Sequence, residues 1–78
     1  MQIDKARRVR DLAQEVVRLI DAATARAHRD REAANEYYHS AGHDPLTSPP
    51  DLAYTPESSA LRRRSIDLTR ALAEMRKP

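Results

Sequence analysis

The 78-residue sequence has no cysteine, no phenylalanine, no tryptophan and a single glycine. No apolar stretch approaches the roughly 18 residues that a membrane span needs. Without cysteine there is no disulfide and no thiolate metal site. Three tyrosines make up the whole aromatic content, so a core has to be built from Val, Leu, Ile and Ala. A β-domain wants more turn glycines, aromatics and β-branched residues than this chain carries. The opening residues Met1, Gln2, Ile3, Asp4 and Lys5 lack the apolar segment of a secretory signal, so the expected location is cytoplasmic, with no membrane contact.

What is present favours helix. Thirteen residues are Ala and twelve are Arg, both strong helix formers. Fourteen basic and twelve acidic residues leave a net charge of only +2. The two signs are interspersed, as on a solvated helix face. A chain of this length buries too little surface for a wide margin of stability. Small domains are usually stapled by a disulfide, a metal or a partner chain. Here oligomerisation is the staple to expect first.

Along the first half, apolar residues recur at alternating steps of three and four: Ala6, Val9, Ala13, Val16, Ile20, Ala23, Ala27, Ala34 and Tyr37. That is the seam of one α-helix packed along its length. Leu12, Leu19 and Val17 widen the stripe, and Asp30 is its one polar intrusion. The spacing predicts a helix over residues 3–40, roughly 57 Å long. Gly42, able to take a left-handed conformation, and the following Pro45 mark its end.

Residues 41–55 read as a linker. Pro45, Pro49, Pro50 and Pro56 lie in or beside it, and none can continue a helix interior. Leu46, Leu52 and Tyr54 are expected to pack back onto the helix ends. Ser48, Pro49, Pro50 and Asp51 also have the order that opens a single helical turn. A second helix is expected over residues 56–76. Thr55 is its N-cap, Pro56 its first residue, and Glu57 adds charge that suits the dipole. Its stripe reads Ser58, Leu61, Ser65, Leu68, Leu72 and Met75, with Ile66 and Ala71 beside it.

The expected fold class is therefore all-α: one antiparallel helical hairpin spanning residues 1–78 as a single domain. The second helix is then expected to lie against the C-terminal half of the first, where Ala23, Ala27, Ala34 and Tyr37 allow close approach. Ile3, Val9, Leu12, Val16, Leu19 and Ile20 would then be uncovered. Exposing them forfeits roughly 1.5–3 kcal/mol each. The expected repair is a homodimer through those six residues, giving a four-helix bundle. The main rival is a monomer in which the long linker lets the second helix slide along the first; a heteromeric partner is a third.

Few residue sets point to chemistry. Glu36 and His39 have the Glu-x-x-His spacing of carboxylate-bridged metal bundles, and Glu32 lies one turn earlier. The seam runs through Ala34 and Tyr37, however, which puts this trio on the flank. His28, His39, His43 and Asp44 are a second metal candidate, but they straddle the helix end, where a three-His site would be poorly oriented. No metal or other cofactor is expected. Asp30, at a seam position, would need a partner, and Arg62, Arg63 or Arg64 is the expected one. Arg7, Arg8 and Arg10, with Arg62, Arg63 and Arg64, form basic clusters suited to phosphates. Residues 57–78 carry six basic and three acidic side chains. No helix-turn-helix spacing and no stacking aromatics accompany them. Tyr37, Tyr38 and Tyr54 are expected to gather under the linker or to form a docking patch. No serine is set beside an arranged His and acid, and there is no Gly-rich phosphate loop. The sequence thus points to a non-enzymatic interaction or adaptor protein acting on another protein. A nucleic-acid-associated role is the alternative, and a metal-binding bundle stands behind that.

Overall fold

The computed structural model describes residues 2–42, 44, 50, 52 and 55–77. They form two helices, α1 (Ile3–Ser40) and α2 (Pro56–Arg76), packed against each other, with no strand among the described residues. The particle is a rod, 61 × 18 × 14 Å.

α1 occupies the span its apolar repeat predicts. It starts from an extended Gln2 without a side-chain cap. Its C-terminus closes through the Ala41 N–H, which donates to the Tyr37 carbonyl at 3.0 Å, and the Gly42 N–H, which donates to His39 at 3.1 Å. Gly42 has φ +82°. A Cβ there would meet nothing within 4 Å, so glycine is favoured by backbone conformation alone.

α2 begins at a reciprocal cap. The Thr55 hydroxyl accepts from the Ser58 N–H at 3.2 Å, and the Thr55 N–H donates to the Ser58 hydroxyl at 2.9 Å. Two backbone donors without an intrahelical partner are thereby satisfied. Ser58, expected in the apolar stripe, serves as the third residue of this capping box.

The helices run antiparallel, and three inter-helix ion pairs mark their register. Lys5 lies 3.8 Å from Glu74, Arg64 lies 3.0 Å from Glu15, and Arg26 lies 3.5 Å from Glu57. α2 therefore covers residues 5–26, the N-terminal half of α1, and the expected pairing with the C-terminal half is corrected. The cause is where the large side chains sit. Val9, Leu12, Val16 and Leu19 are in the first half, and burying them outweighs the close approach that the alanines of the second half offer. A linker of about 15 residues reaches up to roughly 50 Å when extended. The roughly 21 Å retreat from Ser40 to the level of Arg26 is well within that.

The core is thin. Among the described residues Leu12, Ala23, Ala27 and Ala71 are the buried apolar ones, and no large side chain is fully enclosed. Among the described residues no helix is long and apolar enough to cross a membrane.

Candidate interaction surface

The hairpin has two unlike faces, and helical spacing explains both. From the buried seam at Leu12 and Ala23, steps of three or four residues in one sense reach Arg8, Glu15 and Arg26. Steps in the other sense reach Val9, Val16 and Ile20. On α2 the same construction from Ala71 separates Asp67 and Glu74 from Leu68 and Met75. In an antiparallel pair, flanks reached in the same sense fall on the same side. One side of the hairpin is therefore charged and the other apolar.

The charged side carries the Arg64–Glu15 pair. Arg64 is its hub, donating from Nε to Glu15 at 3.0 Å and from Nη1 to Asp67 at 3.2 Å. Arg18 adds a longer contact to Glu15, 3.8 Å. Two open depressions lie along this side. One, about 330 Å³, is lined by Lys5, Arg8, Asp67, Arg70, Ala71 and Glu74. The other, about 410 Å³, is lined by residues that include Arg7, Arg8, Asp11 and Arg64. Both mix the two signs of charge.

Glu57 and Glu74 are held below the ordinary glutamate value. For Glu57 the leading cause is the backbone N–H at the start of α2. Partial desolvation opposes it, and Arg26 adds attraction. Its Oε2 is shielded from solvent without a hydrogen-bond partner among the described residues. For Glu74 the cause is the Lys77 ammonium, first as donor and then as charge, with Lys5 behind it.

The apolar side is incompletely covered. Val9, Val16, Leu61, Leu68 and Leu72 are only half-buried, while Val17 and Ile20 are 58% and 42% exposed.

The six residues expected at a dimer contact divide three ways. Leu12 is buried under α2; Val9, Val16 and Leu19 are half-covered; Ile3 and Ile20 are exposed. The expectation that all six are left bare is corrected, because α2 lies over this half of α1.

Asp30 is not met by Arg62, Arg63 or Arg64. It is exposed and accepts from Arg26 one turn earlier, at 3.3 Å. The intra-chain seam fades beyond Ala27, so the carboxylate stands in water.

The structure does not merge the basic clusters. Arg62 and Arg63 lie level with Val16 and Val17, more than two turns from Arg7 and Arg8. Arg10 bonds its neighbour Asp11 at 3.3 Å, and Arg64 is committed to Glu15 and Asp67. Arg7, Arg8, Arg62 and Arg63 have no ion pair among the described residues.

Among the described residues no group of three or more His, Asp or Glu stands close enough to hold a metal ion. Glu32, Glu36 and His39 are exposed, and His43 lies outside the described residues. Tyr37 and Tyr38 meet edge to face, with centroids 5.9 Å apart. Tyr37 is 71% exposed, and Leu46 and Tyr54 lie outside the described residues. The turn considered at Ser48 to Asp51 also rests largely on residues outside them. The charged side, with Arg64 at its centre, was not legible as a unit, since its members come from helices whose register the sequence left open.

No family model matches the chain, no curated protein is significantly similar to it, and no solved structure matches it.

Proposed function

We propose that this chain is a non-enzymatic interaction module: a helical hairpin that self-associates into a four-helix bundle and offers an arginine-rich surface to a partner protein. The observation that carries the reading is the thin core, one leucine and three alanines among the described residues, with a half-covered apolar side next to them. A hairpin so constituted gains most of its stability from the chain that covers it. Arg7, Arg8, Arg62 and Arg63, unengaged among the described residues, are the side chains available to a further partner. If self-association supplies the stability, the thermal midpoint rises with protein concentration. A midpoint independent of concentration over a hundredfold range contradicts the reading.

The same four arginines favour a second reading, contact with nucleic-acid phosphates. It predicts a salt-sensitive shift of random duplex DNA that weakens when Arg62 and Arg63 are changed to Gln. No shift at low salt removes it.

A further inference from the structure

We infer that the apolar side of the hairpin is covered by a second copy of this chain, α1 against α1 and α2 against α2, both antiparallel, about a two-fold axis level with Val16. The inference rests on the self-association proposed above and specifies its geometry.

The uncovered stripe runs along both helices: Val9, Val16, Leu61, Leu68 and Leu72 are half-buried, and Val17 and Ile20 are exposed beside them. A second two-helix layer is the occupant whose shape matches such a stripe.

Charge selects the copy and its direction. Arg10 and Asp21 are both exposed and both lie on the outer rim of the apolar stripe of α1. They are eleven residues apart, close to three full turns, and so share one face. Asp21 has no ion-pair partner among the described residues, and Arg10 has only its neighbour Asp11. Two copies of α1 stacked antiparallel bring each Arg10 opposite the other copy's Asp21. The two-fold axis then passes midway between them, between Glu15 and Val16. Such a rim is self-complementary, as an isologous interface requires.

α2 places its leucines about the same axis. Glu15 is bridged to Arg64 at 3.0 Å, so the axis crosses α2 beside Arg64. Leu61 lies three residues before that point and Leu68 four after it, both half-buried on the apolar side. Antiparallel stacking therefore sets Leu61 of one copy against Leu68 of the other. The charged rim of one helix and the apolar pair of the other converge on one two-fold.

The test uses the full chain, whose lack of cysteine keeps single-cysteine variants free of competing thiols. Arg10→Glu and Asp21→Arg each set like charges together twice per dimer. Each should raise the dissociation constant of the dimer about tenfold, while the double variant returns to within about threefold of the parent. Val16→Cys, next to the axis, should give a disulfide-linked dimer under mild oxidation. Ala73→Cys, on the far side of α2, should not. A dimeric parent with no rescue in the double variant and no Val16→Cys cross-link overturns this geometry and leaves self-association standing. A monomeric parent overturns both.

Discussion

Arg64 reaches from the middle of α2 to Glu15 on α1 at 3.0 Å and holds Asp67 of its own helix at 3.2 Å. This one side chain states the register of the hairpin.

Because Glu15 and Arg64 are both partly exposed, their pair contributes modestly to stability. A double-mutant cycle with Glu15→Gln and Arg64→Gln should give a coupling of about 0.2–1 kcal/mol. The same cycle on Asp30 and Arg64 should give none. Coupling to Asp30 instead of Glu15 would restore the register in which α2 covers the C-terminal half of α1.

The cap of α2 is the best-defined local feature. Thr55→Ala removes the acceptor for the Ser58 N–H and should cost about 1 kcal/mol, whereas Thr55→Gly costs a few tenths relative to the parent. Chemical denaturation at fixed protein concentration reads both. A Thr55→Ala variant as stable as the parent would mean that the cap does not hold the helix start.

Among the described residues Leu12 is the one large aliphatic side chain in the buried core. Leu12→Ala should destabilise by about 2–5 kcal/mol, the range for buried leucine. Ile3→Ala, at a 69% exposed position, should stay within about 0.5 kcal/mol. Equal effects at the two positions would contradict the packing described.

Acid should loosen the hairpin through Glu57 and Glu74. Both are held below the ordinary value of 4.5 in the fold, so the unfolded chain takes up protons first as pH falls. Their contribution is complete above that value and is lost as pH drops through it toward the lower folded-state values. The thermal midpoint by circular dichroism, at one concentration, should fall between pH 5 and pH 3, buffer values about the ordinary carboxylate range. Glu57→Gln should reduce that fall. A midpoint that rises on acidification contradicts the assignment.

Much of the fold was legible because it is written in local chemistry. The three-four repeat from Ala6 to Tyr37 gave the span of α1. Gly42 marked its end, and Thr55 with Pro56 marked the start of α2. Register was not legible, since a long linker permits more than one alignment and nothing local chooses between them. The choice came from long-range burial of Val9, Leu12, Val16 and Leu19. The role expected of Asp30 failed for the same reason: a seam position is buried only where another helix lies over it. The spacing of Ser58 fits the apolar stripe, but its hydroxyl and N–H close the cap with Thr55.

The central claim is that one hairpin is an incomplete unit, and the mass of the full chain in solution tests it most directly. Sedimentation equilibrium at micromolar concentration should return twice the 8.9 kDa chain mass. A folded, helical species that stays at the single-chain mass at this concentration would contradict it.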